Sequence, residues 1–145
     1  MALIRFASSE KDLREAVEAH FKEMGRYDFA PEMSEAPLYV EHALEGARSK
    51  DPVLVVEEDG RIVGLTLWTN AVTSPSRTGD LMTLGTWIAP SHRRTGLGSR
   101  LRAAAEDIAR RRGYLRLVGS VHPDNMPGVE SLKGRGWKTR AHIVV

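Results

Sequence analysis

Residues 81–121 constrain the fold more than any other stretch. "LMTLGTWIA" (81–89) is rich in β-formers and stops at Pro90. "SHRRTGLGS" (91–99) is a turn holding two glycines one residue apart, Gly96 and Gly98. Leu97, Leu101, Ala104, Ala105 and Ile108 then recur at helical spacing with one apolar face, and Gly113 suits the end of that helix. "YLRLVGSV" (114–121) is strand-like again. Two strands joined by such a helix must lie parallel in one sheet, with a right-handed crossover.

The remaining segments build around that unit. Leu3–Phe6 reads as a short first strand, and Ser8 or Ser9 as the cap of a helix whose apolar positions are Leu13, Ala16, Val17, His20, Phe21 and Met24, closed by Gly25. Residues 27–37 hold two prolines and several acids and read as a loop; Leu38, Val40, His42, Ala43, Leu44 and Ala47 predict a second helix. "VLVVEEDGRIVGLTLW" (53–68) is a hairpin, two β-rich runs about Asp59-Gly60, a pair that tolerates the positive φ angles of a tight turn. Residues 70–80 are loop chemistry. "HPDNMPG" is a turn, "VESLKGRG" a short last helix and "WKTRAHIVV" a closing strand. The predicted order is β-α-α-β-β-β-α-β-α-β: an α/β (α+β mixed) fold with a central, mostly antiparallel sheet, helices on both faces, and one domain over residues 1–145. The closing strand is short, which leaves its edge open to a second copy of the chain, a homodimer.

Composition excludes several classes. Cysteine is absent, so disulfides and thiolate metal sites are ruled out, and His20, His42, His92 and His142 lack the spacing of a metal site; no metal is expected. The N-terminus has no apolar run behind a basic start, and Val53–Val56 is far too short to cross a bilayer. A cytoplasmic protein without a membrane partner is the expectation. Net charge is +2, but residues 1–59 carry 14 acids against 7 bases and residues 60–145 carry 5 acids against 14 bases. The second half is therefore suited to an anion, unless the two halves simply neutralise each other across one domain.

The glycines fall where a strand turns into a helix. Main-chain N–H groups at a helix start lack intrahelical acceptors and carry a positive field, so an anion placed there meets several donors. Glycine permits close approach, Arg93 and Arg94 add charge at the rim, and a pyrophosphate is the natural guest. Two well-known phosphate loops fail: the dinucleotide fingerprint lacks its third glycine after Gly96-Leu97-Gly98, and no lysine follows a glycine as the nucleotide-hydrolase loop requires.

Arg93-Arg94-Thr95-Gly96-Leu97-Gly98 does fill every fixed place of [QR]-x-x-G-x-[GA], the acyl-coenzyme A loop of the GNAT superfamily of N-acetyltransferases, which this stretch resembles. Trp87-Ile88-Ala89-Pro90 looks like that family's strand end, and Leu101 falls where its helix buries a leucine. Val121-His122-Pro123-Asp124-Asn125 resembles its "V-x-P-[DE]-N" strand exit, and Gly136-Trp137 stands where it commonly has Gly-Phe. The resemblance implies acetyl-CoA as co-substrate and an amine of a small molecule or peptide as acceptor. It implies that Arg93, Arg94, Thr95, Gly96, Leu97, Gly98, Ser99 and Arg100 hold the phosphates. It further implies that the strand before the loop splays from its parallel neighbour to admit the pantetheine arm against Trp87, Ile88 and Ala89. The Ile88 N–H would then face the thioester oxygen, and Asn125 would donate to the arm.

The sequence departs from that pattern at the chemistry. The tyrosine that many members place seven residues after the asparagine is Leu132 here, and Met82 and Leu84 occupy the places of a frequent glutamate. A water chain ending on main-chain carbonyls is one substitute for the base. His122 is the remaining side chain whose pKa suits proton transfer, although ordinary strand packing is the commoner fate of such a residue. Asp80 reads first as a strand start and Ser131 as a surface helix residue; Trp68, Trp87 and Trp137 read first as core. The acidic loop Arg26–Glu32 would suit a cationic acceptor. Two rival functions stand beside the enzyme. One is a catalytically silent acyl-CoA binder. The other is a nucleic-acid binder using Arg93, Arg94, Arg100, Arg102, Arg110, Arg111, Arg112 and Arg116. Against the latter, Glu106 and Asp107 stand one turn before Arg110 and Arg111 as partners, and no nucleic-acid signature is present, so none is expected as a partner.

Overall fold

The computed structural model describes residues 2–25, 32–70, 80–119 and 124–138. Its elements follow the predicted order: β1 (Leu3–Phe6), α1 (Glu10–Met24), α2 (Ala36–Arg48), β2 (Leu54–Glu58), β3 (Arg61–Asn70), β4 (Asp80–Ile88), α3 (Leu97–Arg111), β5 (Arg116–Val118) and α4 (Met126–Gly134). Of the predicted closing strand, 137–145, Trp137 and Lys138 belong to no strand and residues 139–145 lie outside the described residues. The five strands lie in sequence order, with β1, β2, β3 and β4 antiparallel and β4 and β5 parallel. The helix between the parallel pair, α3, packs against the sheet as such a crossover requires. Among the described residues no helix is long and apolar enough to cross a membrane.

Alternation along the central strands sorts their side chains onto two faces. Val55 and Leu65 join Leu13, Val17 and Phe21 of α1 and Val40 and Ala43 of α2 in one core. Leu54, Val56 and Leu81 join Leu97, Leu101, Ala105 and Ala109 of α3 in the other. Each fully buried leucine contributes about 2 kcal/mol of apolar transfer, which is what holds the helices down. Trp68 and Trp87 are buried in these cores, and Trp137 packs on the α3 side with its ring 6.1 Å from Trp68, so the core expectation for the tryptophans holds.

Local chemistry sets the element ends. The Ser9 side chain accepts from Asp12 N–H at the start of α1. Asp59 and Gly60 both take positive φ in the β2–β3 turn. Two expectations need correction. Residues 33–35, read as loop, form a 3₁₀ turn, and α2 begins at Ala36 with Pro37 in its first turn, where a missing N–H costs nothing. Glu106 pairs not with Arg110 one turn on but with Arg135 beyond α4, at 2.8 Å, because both side chains are sheltered there.

Candidate active site

The site is built along β4. It pairs with β3 through Leu81–Ile88 and, among the described residues, with β5 over Asp80–Met82. Gly119, just after β5, still lies against Thr83, where its β-carbon would stand 2.9 Å from Thr83 Cγ2. Thr83, Leu84, Gly85 and Thr86 are half-buried. Ala89 N–H bonds to Val63 O at 2.8 Å. By alternation, Ile88 and Thr86 turn their main-chain groups away from β3. An extended ligand can pair with that edge as an added strand does.

A bulge marks the middle of β4. Leu67 pairs with Gly85 while Trp68 pairs with Thr83, which leaves Leu84 extra. Gly85 has φ +145°, and its N–H bonds to Thr83 Oγ1 at 3.1 Å. A β-carbon at Gly85 would stand 2.5 Å from His20 Nε2, so the imidazole of α1 lies directly on the bulge. Burial holds the His20 pKa below its ordinary value, with Glu23 pulling weakly the other way. The sequence pattern puts His20 on the apolar stripe of its helix and marks nothing more. The signal that singles it out is a spatial one, a glycine 65 positions away.

The strand ends at the glycine turn. Ala89 carries β4 into a 3₁₀ turn at Pro90–His92, and Thr95 Oγ1 donates to His92 O. Arg94 and Gly96 both adopt left-handed backbone, at φ +63° and +81°. Gly96 is the N-cap of α3; no side chain caps that end, and no acid lies in its first turn. The first intrahelical bond there is Arg100 N–H to Gly96 O, so Leu97, Gly98 and Ser99 present their N–H groups outward. A β-carbon at Gly96 would meet nothing within 4 Å, so the space over the turn is open and glycine is required there by its φ. Buried Leu97 anchors the turn to the α3 core, and Gly98 stands beside Ile88. These features fit a diphosphate.

The arginines divide their work. Arg93 does not stay at the rim: its Nε donates to Ile88 O at 2.9 Å and its Nη2 to Glu23 at 2.6 Å, tying α1 to the end of β4. Arg94 and Arg100 are exposed and form no ion pair among the described residues, which leaves them as free cations beside the turn. Asn125 caps α4, its Oδ1 accepting from Gly128 N–H at 3.3 Å. That bond uses the carbonyl and keeps the Nδ2 donors free of partners among the described residues. Trp87 lies on the α1 and α2 side, and its buried Nε1–H has no acceptor among the described residues. His122 falls outside the described residues, as do positions 26–31 of the acidic loop.

Asp80 and Ser131 take structural partners. Asp80 is buried at the start of β4 and receives a bidentate pair from Arg116, at 2.7 and 2.9 Å. Ser131 Oγ accepts from Arg102 and is half-buried, not a surface residue. Asp107 pairs with Arg111, and Arg112 reaches Asp51 at 3.6 Å.

With the β4 bulge, the glycine turn and the uncapped helix in place, the comparisons agree on a class. The family model for the acetyltransferase (GNAT) family matches residues 13–137. The chain belongs to that family. N-acetyltransferase from Staphylococcus aureus Mu50 superposes with a TM-score of 0.74 at 21% identity, over 95% of this chain and 84% of that one. YncA of Salmonella typhimurium, solved with its cofactor acetyl-CoA, gives 0.73 at 21%, over 94% and 79%. AAC(6')-Iy in complex with the bisubstrate analogue CoA-S-monomethyl-acetylneamine gives 0.72 at 16%, over 100% and 96%. At these identities the likeness is one of fold. No curated protein sequence is significantly similar to the chain.

Proposed function

We propose that this GNAT acetyltransferase, a single domain over residues 1–145 working in the cytoplasm, moves the acetyl group of acetyl-CoA to a primary amine of a small molecule or peptide by direct attack. One observation carries the reading: β4, whose Ile88 main chain faces away from β3, leads into an uncapped, acid-free helix start. In this proposal the N–H groups of Thr95–Ser99 receive the pyrophosphate, with Arg94 and Arg100 supplying charge. The end of β4 at Trp87, Ile88 and Ala89 receives the pantetheine arm, with Ile88 supplying the main-chain N–H that faces away from β3, and Asn125 Nδ2 donates to it. The Ile88 N–H is placed to meet charge as it develops on the thioester oxygen. Fold neighbours with acetyl-CoA or a bisubstrate analogue in place support this assignment. The acidic composition of the loop Arg26–Glu32 favours a cationic acceptor.

The nucleic-acid alternative is weakened because Arg111, Arg112, Arg116 and Arg135 are drawn into pairs with acids of the chain. Thermal shift with acetyl-CoA against duplex DNA separates these classes. Thiol release from acetyl-CoA with a panel of amines and neutral acceptors then separates an enzyme from a silent binder. Stabilisation by acetyl-CoA and amine-dependent thiol release are expected. Stabilisation by DNA alone would replace the reading.

A further inference from the structure

We propose that His20 takes the proton from the attacking amine. This role rests on the transferase reading above and adds to it a residue that the motifs do not mark. Three observations converge on the ring. Its Nε2 edge lies on Gly85, at the bulge in β4, where a methyl group would collide with it at 2.5 Å. Neither ring nitrogen makes a hydrogen bond among the described residues, and the residue is only partly buried. The ring is neutral at physiological pH because burial disfavours its cation. A neutral imidazole offers one lone pair, and here that lone pair is unspent.

The surroundings match the task. Trp87 lies in the core on the α1 side of the sheet, and its buried Nε1–H has no acceptor among the described residues. Among the described residues the titratable groups around the ring are few. Glu23 of α1 acts on it and is itself held by Arg93 from the turn after β4; Tyr39 of α2 stands edge-on to the neighbouring Phe21; β4 contributes threonines and no acid at this level. In the step, the amine nitrogen forms a bond to the thioester carbonyl carbon. The carbon–sulfur bond breaks and its electron pair leaves on the coenzyme A thiolate. The amine proton passes to the His20 lone pair, and the imidazolium returns it to the thiolate or to solvent. The products are an amide and a thiol.

The test compares wild type with His20→Gln and His20→Ala. Acetyl-CoA affinity is read by calorimetry, transfer by thiol release across the amine panel from about pH 5 to 9, and the His20 protonation state by its Cε1–H resonance. The resonance of His20 is expected to titrate below its ordinary value of about 6.5 and to shift when acetyl-CoA binds. His20→Gln is expected to keep the acetyl-CoA Kd within about twofold, lose roughly a hundredfold or more in kcat, and lose the acid limb of the kcat/KM profile. Added imidazole is expected to restore part of the rate to His20→Ala, which a packing role would not allow. If wild type transfers and His20→Gln matches its rate and pH profile, this proposal falls and the transferase reading stands. If wild type binds acetyl-CoA but acetylates nothing in the panel, both fall.

Discussion

The two ends of β4 are one continuous strand in two environments. At Asp80–Met82 it has a neighbour on each edge, Leu81 is fully buried, and the buried charge of Asp80 is answered by the bidentate Arg116. From Thr83 to Ile88 it has, among the described residues, a paired neighbour on one edge, a bulge, a backbone at Gly85 that only glycine adopts without strain, and two polar side chains, His20 of α1 and its own Trp87, with nothing to bond among the described residues. The closed end spends its groups on stability. The open end keeps them unspent, which is the condition a ligand site requires.

Substitutions should separate the two ends, the largest effect coming from the closed one. Leu81→Ala is expected to cost about 2–5 kcal/mol in denaturant unfolding while leaving the acetyl-CoA affinity of the folded protein unchanged. A matching loss of affinity would merge the two ends into one unit. Gly96→Val should do the reverse. Its left-handed backbone costs a β-branched residue about 1–2 kcal/mol of stability, and the side chain fills the space above the turn. The acetyl-CoA Kd is expected to rise tenfold or more, about 1.4 kcal/mol; an unchanged Kd would end the phosphate assignment. At the border, Thr86→Val removes the hydroxyl that meets buried Thr66 Oγ1 at 2.8 Å, and about 1 kcal/mol of stability should go with it.

Smaller effects sharpen the open end. Arg94→Ala and Arg100→Ala should each weaken acetyl-CoA severalfold at low salt, with the difference from wild type shrinking as ionic strength rises. A salt-independent loss would mean a contact other than charge. The smallest expected effect is on stability against pH. The folded protein disfavours the His20 cation, so the unfolded chain binds that proton more readily. This stability is intact above about pH 6.5 and declines as pH falls below it. In acid unfolding series from pH 7 to 5, His20→Gln should lose less than wild type.

Much of the frame was legible in the residues. The apolar spacing of α1 and α3, the Asp59-Gly60 hairpin and the crossover logic of residues 81–121 each follow from local rules, and together they set strand order and helix placement. The glycine turn announced its chemistry because backbone donors at a helix start are a local property. What was hidden depends on distance in three dimensions. That Arg93 leaves the turn for Glu23 and Ile88 O is decided by where α1 ends. That Glu106 prefers Arg135 to Arg110 is decided by α4. His20 looked like any polar interruption of an apolar stripe because its partner, Gly85, lies in another element and speaks through a missing atom.

That missing atom imposes a mutual exclusion. A ring at position 20 and a side chain at position 85 claim the same volume, so neither position can be altered as though the other were free. Grafting an acidic or aliphatic residue into the centre of this strand, as a designer borrowing from another acetyltransferase would do, evicts the imidazole unless position 20 is shrunk at the same time. The pair has to be exchanged as a unit, and the coupling between them is repulsion, not attraction.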